Sequence, residues 1–493
     1  MSSSIASDQD LTNLRAQIDR SVRWPVLLFF TSAGFWFLAT IILGLMSTWT
    51  LLSPDAFGDC PAFKYGRLQS AHTLAMVYGL GFNLAFGVIL WMMHRLCRMP
   101  MKHSLVPNIA GHLWNIALTI GIFCVFGGIG SGVEWLEFPK QVGPALLVAY
   151  IVIALWAFVP FTQRDQPQTF VSLWFLVAAL FAFPALFLTA NVFIHMAPSA
   201  AVVSTAVNYW YIGGVQFLFF LPIAAAAAFY LIPKVSGRPI FSYSLALASF
   251  WALILLGGWT GLHRLLGAPL PAWMPAVSGA AGIVILIPAL MILVNVHATL
   301  GARFRMVNYS ATLRFAYASI VALFLAAVLN ALGGIPTLSK YAGLTQAVLS
   351  THVAVLLGVF TMAGFGAIYF IVPRLCGCEW PSGRSIRFHF WFTVYSILIL
   401  VVTLAVGGFW QGNAEFMLYG SWKKIVDAAE PFYIGQLIGW TMLLMANFSF
   451  VLNLWVMVFG QGRRAGSPTL LHEVHELDQP MFDDRAKESS SQA

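Results

Sequence analysis

Residues 71–93, AHTLAMVYGLGFNLAFGVILWMM, decide what kind of protein this is. The run holds no Asp, Glu, Lys or Arg, and one histidine, His72. It is long enough to cross about 30 Å of hydrocarbon as a helix. Similar runs recur along the chain, near 24–52, 105–129, 142–161, 169–194, 208–232, 241–262, 275–299, 314–334, 344–372, 389–410 and 432–459. The expectation is an all-α integral membrane protein of about twelve transmembrane helices.

Composition agrees. Of 493 residues, 59% are hydrophobic and only 9% charged, which excludes a soluble globular protein. Loops are short, leaving no room for a soluble domain. The division expected is a polar N-terminal segment at 1–23, a membrane domain at 24–460 and a flexible charged tail at 461–493. The polar first residues give no cleavable signal peptide.

Lys and Arg favour one set of alternate loops. Arg15, Arg20, Arg23, Arg95, Arg98, Lys102, Arg164, Lys234, Arg238, Arg303, Arg305, Arg314, Arg374, Arg384, Arg387, Arg463 and Arg464 lie on that side, against Lys64, Arg67, Lys140, Arg264, Lys340, Lys423 and Lys424 on the other. The asymmetry places both termini in the cytoplasm of a bacterial-type inner membrane. These bases are scattered over short loops, so the partner they indicate is the membrane and not nucleic acid. Cys60, Cys97, Cys124, Cys376 and Cys378 form no zinc framework, and Cys-x-x-Cys-His is absent.

Ionisable residues inside spans carry the chemistry, because a bilayer makes them expensive and function retains them. His72 begins the second span and His352 lies early in the tenth. Each reads either as an interhelical hydrogen bond or as a haem ligand. His263 and Arg264 end the seventh span. Neighbours on a helix point about 100° apart, so one can face the interior while Arg264 snorkels to the outer interface. Glu134 and Glu137, spaced i,i+3 in the loop after the third span, read as a solvated loop or as one face binding calcium. His94, His103 and His389 read as interface residues.

Several segments together resemble subunit I of the cbb3-type cytochrome c oxidases, in the haem-copper oxidase superfamily that also holds nitric oxide reductases. They are Tyr65-Gly66-Arg67-Leu68 with His72, Glu134-Trp135-Leu136-Glu137, Val171-Ser172-Leu173-Trp174-Phe175, Asn208-Tyr209-Trp210-Tyr211 and Pro233-Lys234 with Arg238-Pro239 and Ser242-Tyr243. Phe250-Trp251-Ala252-Leu253-Ile254, Gly366-Ala367-Ile368-Tyr369, Val372-Pro373-Arg374-Leu375 and Asn453-Leu454-Trp455 complete the set. The resemblance runs from about residue 15 to 460.

It implies twelve helices around a low-spin haem b and a high-spin haem b paired with copper, where oxygen is reduced. His72 resembles a ligand of the low-spin haem and His352 the proximal ligand of the high-spin haem. His263 resembles one of three copper ligands, and Glu134 a calcium-site carboxylate. A membrane-anchored c-type cytochrome is the partner implied.

The departures from the family pattern are specific. Where the family's tenth helix carries His-x-His, this chain has His352-Val353-Ala354, so the second low-spin ligand is missing. The sixth helix's Tyr-Gly-His-Asn is Tyr211-Ile212-Gly213-Gly214, which removes a copper ligand. The seventh helix's His-His is His263-Arg264, the cross-linking tyrosine is Gly257, and the ninth helix's glutamate is Asn330. A guanidinium has no lone pair to give a metal and repels it. The expectation is one or two haems b without copper, serving electron transfer or binding a diatomic gas, with Arg264 on the distal side of His352. The alternatives are an oxidase or nitric oxide reductase with atypical ligands, and a cofactor-poor scaffold, assembly factor or transporter. A rotated tenth helix would let His72 and His352 share one haem.

Overall fold

The computed structural model describes residues 8–164, 169–196, 200–417, 421–463 and 468–472. Twelve helices are long and apolar enough to span a membrane: Gln9–Leu52, Tyr65–Leu96, Leu105–Phe126, Val142–Thr162, Val171–Met196, Ala201–Ser236, Tyr243–Leu265, Trp273–Asn308, Ala311–Gly334, Ala347–Cys376, Gly383–Met417 and Lys423–Val458. They are called spans 1 to 12 below. Among the described residues the only extended pairing is an isolated bridge between Glu379 and Arg463.

Each expected run is one of these spans, but their ends differ. The first helix starts at Asp8, so residues 8–23 extend span 1 and are not a separate segment. Asp19 faces inward, where it accepts from Trp91 Nε1 at 3.0 Å and pairs with Arg95 at 3.3 Å. Polar side chains with such partners continue a helix past its apolar stretch. Most of the expected tail, 464–467 and 473–493, lies outside the described residues. Within 468–472, Leu471 is buried and its N–H donates to Tyr309 O.

Burial sorts the spans. Spans 2 and 10 are buried along their whole apolar windows and span 6 nearly so, whereas the others bury about half. A helix apolar on every side belongs at the centre, ringed by helices with a lipid face. Span 3 shows such a face in its exposed Leu105, Ile109, Ile116, Ile120 and Phe123.

The three central spans share a further feature. Each widens from α to π geometry part-way, at Ala75–Gly81, Val215–Phe220 and Ala354–Thr361. These wide turns begin just after His72, Gly213 and His352. A π turn inserts an extra residue into the helical register and frequently marks a functional site.

Span 7 departs from a simple helix. Its α-helix stops at Gly257, the chain turns through Gly261, and Leu262–Leu265 form a tight 3-10 turn. Gly261 has φ +100°, and a Cβ there would clash with Tyr209 O on span 6. A Cβ on Gly213 would meet the Thr260 carbonyl at 2.7 Å. Two bare backbones therefore touch, and this contact tucks His263 and Arg264 under the bundle's end. Gly261→Ala combines left-handed strain of about 1–2 kcal/mol with a backbone clash. Gly58, at φ +67° with open space around it, isolates the strain. Thermal unfolding in detergent will show Gly261→Ala lowering the midpoint clearly more than Gly58→Ala.

Candidate functional site

His72 lies on the first turns of span 2, buried. Its Nδ1 is 2.8 Å from the carbonyl of Thr40 on span 1. A carbonyl only accepts, so Nδ1 carries the proton and Nε2 the lone pair. The ring meets Trp440 of span 12 edge-on at 5.1 Å. A Cβ on Gly44 would sit 3.0 Å from His72 Cε1, so the backbone at Gly44 walls the other side. Donating one ring N–H to a carbonyl while aiming the second nitrogen is how proteins orient metal-ligating histidines.

His352, on span 10, has a different environment. Arg264 Nη1 is 2.7 Å from its Nε2. Glu134 Oε1 is 3.6 Å from its Nδ1. The Trp135 ring lies edge-on at 5.2 Å. A guanidinium only donates, so Nε2 accepts and a neutral ring holds its proton on Nδ1, toward Glu134. At 3.6 Å that second contact is electrostatic and not a hydrogen bond. The result is a row of cation, imidazole and carboxylate, buried at Arg264 and His352 and half-buried at Glu134. Arg264 is only 8% exposed, so it does not snorkel to the interface. The 3-10 turn replaces the expected helical ending and aims it inward.

The Glu134–Glu137 loop is not helical, so the expected single carboxylate face does not exist. The chain turns at Trp135, which takes φ +66°. That conformation is unusual for a bulky residue and persists only where surroundings impose it. Here the Trp135 carbonyl accepts from Tyr78 OH at 2.7 Å, and Tyr78 OH lies 2.6 Å from Tyr211 OH. Glu134 turns to His352 while Glu137 is buried beside its own backbone. Burial raises both carboxyls above the ordinary range, opposed at Glu134 by the Arg264 charge.

His263 is buried, with Nδ1 3.3 Å from Ser278 Oγ. Gly213 has no room for a larger side chain, and a Cβ on Gly257 would meet Leu218 at 2.8 Å. Among the described residues no three His, Cys, Asp or Glu side chains gather around one point. The donor set at this end of span 7 is one imidazole beside a cation, and it does not fit copper. His352 likewise presents no free ring nitrogen to a haem iron in this arrangement. At His72 the chemistry fits haem iron, because Nδ1 is occupied by the Thr40 carbonyl and Nε2 keeps its lone pair, while Ala354 offers no second donor. His72 and His352 belong to separate clusters and share no neighbour named above.

Sequence reading missed two groupings. Tyr78 and Tyr211 were apolar-run residues with no mark of their pairing. His389, expected at an interface, is fully buried on span 11 with Nδ1 2.8 Å from Tyr369 OH. His94 is buried too, its Nδ1 2.8 Å from Leu90 O.

This is the fold and the membrane frame of haem-copper oxidase subunit I. The profile of the family described as cytochrome c and quinol oxidase polypeptide I matches residues 24–442, and the chain belongs to that family. A cytochrome c oxidase subunit 1 homolog from Bradyrhizobium diazoefficiens is 25% identical over 454 residues, covering 86% of this chain and 80% of that one. A cbb3-type cytochrome c oxidase subunit from Stutzerimonas stutzeri is 23% identical over 436 residues, covering 85% and 91%. A heme-copper terminal oxidase solved by cryo-EM superposes with a TM-score of 0.71 at 13% identity, over 92% of this chain and 86% of that one. That likeness concerns the fold.

Arg264 and His352 are energetically coupled. Truncating one member of a buried charged group costs about 3–5 kcal/mol. Arg264→Met is expected to destabilise strongly, and His352→Leu in that background to cost far less than alone. Denaturation of the single and double variants will give a coupling of about 0.5–3 kcal/mol. Additive losses would disprove the contact.

Proposed function

We propose that this cytochrome c oxidase subunit I-like membrane protein does not reduce oxygen at a haem–copper pair. It holds one haem b on His72 and serves electron transfer or gas binding. The observation that carries this is the 2.7 Å contact between Arg264 and His352 Nε2, which fills the ligand position that oxygen chemistry requires.

The residue chemistry supports it. Oxygen reduction to water needs its electrons together at one place, which the family meets with a second metal and a tyrosine. Here those positions are Gly213, Arg264 and Gly257. At the other site, Thr40 fixes the His72 tautomer, while Trp440 and the Gly44 backbone fix the ring. A haem held by His72 would supply one-electron exchange and could bind a small gas. The cbb3-type relative suggests a membrane-anchored c-type cytochrome as electron partner.

Purified protein is expected to show a b-type spectrum with about one haem per chain, no stoichiometric copper by elemental analysis and no oxygen uptake with reduced cytochrome c. His72→Leu will remove the haem and His352→Leu will not. Haem that survives His72→Leu, or copper with oxygen turnover, would overturn the proposal. A colourless but folded protein would instead favour a scaffold.

Arg264→Ala frees His352 Nε2. This variant is expected to take up additional haem when expressed with excess haem, read from the pyridine haemochrome. Unchanged haem content would show that Arg264 is not what closes His352 to iron.

A further inference from the structure

Arg264 borders two cavities. The inner one, about 300 Å³, is lined by His263, Arg264, Asn330, Ser339, Thr351 and apolar side chains of spans 9 to 11. The outer one, about 750 Å³, is lined by Arg264, Ser339, Lys340, Thr345 and Glu415 among others. Arg264, Ser339 and Gly343 line both, so the cavities meet at the guanidinium. Lys340, Leu344 and Glu415 are exposed, so the outer cavity opens at the end of the bundle opposite the termini.

The guanidinium is incompletely partnered. Its one hydrogen bond goes to His352, which is formally neutral. Among the described residues no carboxylate lies within ion-pair distance of it. Glu134 sits behind the far nitrogen of His352, and Glu415 lies at the outer rim. None of the remaining Arg264 N–H groups is sealed in packing. They therefore border the cavity space. A guanidinium pairs with a planar oxyanion through two parallel N–H bonds, and in a low-dielectric cleft such bonds are strong. Lys340 at the rim adds attraction along the approach. The inner volume holds about ten waters, so a small anionic group fits with space to spare.

We propose that this cleft is an anion site, in which Arg264 grips one carboxylate or other singly charged oxyanion arriving from the face opposite the termini. A single guanidinium suits one charge, and the apolar inner cavity accepts the ligand's hydrocarbon end. The shared chemistry belongs equally to a free small acid and to an anionic lipid headgroup. The inference is independent of haem at His72.

The test uses the full chain in phosphatidylcholine nanodiscs. One arm titrates sodium acetate, with acetamide as the neutral control. A second arm replaces part of the lipid by phosphatidylglycerol. The readout is the thermal unfolding midpoint. A saturable rise is expected with acetate or with phosphatidylglycerol, and whichever acts identifies the source. Arg264→Gln will weaken half-saturation about tenfold or more, the loss expected of a charge-assisted pair. Should that variant fail to fold, Arg264→Lys keeps the charge and will weaken binding, while Ser339→Leu obstructs the neck and will abolish the acetate response. His72→Leu will leave anion binding unchanged even where it removes haem. No saturable response in either arm, or a response equal in Arg264→Gln or Ser339→Leu, would overturn the site.

Discussion

The altered centre rests on one buried hydrogen bond, from the Arg264 guanidinium to His352. A cation taken from water into a helical bundle carries a desolvation cost of several kcal/mol, and only fixed partners offset it. The neutral imidazole supplies the acceptor, and Glu134 on its other nitrogen supplies the opposite charge. Three elements must meet for this: span 10, the loop after span 3 and the turn that ends span 7. The strained Trp135 conformation and the Gly213–Gly261 backbone contact are what bring them together. The Trp135 turn is also held by Tyr78, whose OH donates to its carbonyl.

The same contact shows how a family fold can carry a different set of side chains at its centre. Membership is carried by twelve spans whose apolar faces pack in a common order, and packing tolerates wide sequence change. Metal chemistry is carried by a few lone pairs aimed at one point. Replacing an imidazole by a guanidinium leaves the helix intact and reverses the electrostatics of the site. A chain can therefore keep the fold at 23–25% identity to oxidase subunits while the side chains at its centre differ. His72 is held differently from His352, by a carbonyl partner and an aromatic wall.

Much of this was legible in the residues. Length and charge exclusion marked every span, because a bilayer forces the backbone to satisfy itself and the side chains to be apolar. The departures at Gly213, Gly257, Arg264 and Ala354 likewise marked where this chain differs from the pattern it resembles. The N-terminal boundary failed because Asp19 and Arg95 neutralise each other inside the bundle. Asp19, which in isolation looks like part of a terminal segment, belongs to a packed helix once it is paired with Arg95 of span 2. His389 misled in the same way, since its nearness to Arg384 and Arg387 suggested an interface while its partner Tyr369 lies on another span.

The sequence by itself determined the solvent and the number of crossings, since each depends on side-chain chemistry summed over local windows. Only the tertiary structure decided what Arg264 and His352 meet. The direction of Arg264 depends on a 3-10 turn, and that turn on two glycine backbones from different spans touching. The wide turns after His72, Gly213 and His352 shift register in ways no apolar pattern records. Contacts between residues tens or hundreds of positions apart set these features, and a linear reading carries no distance between them.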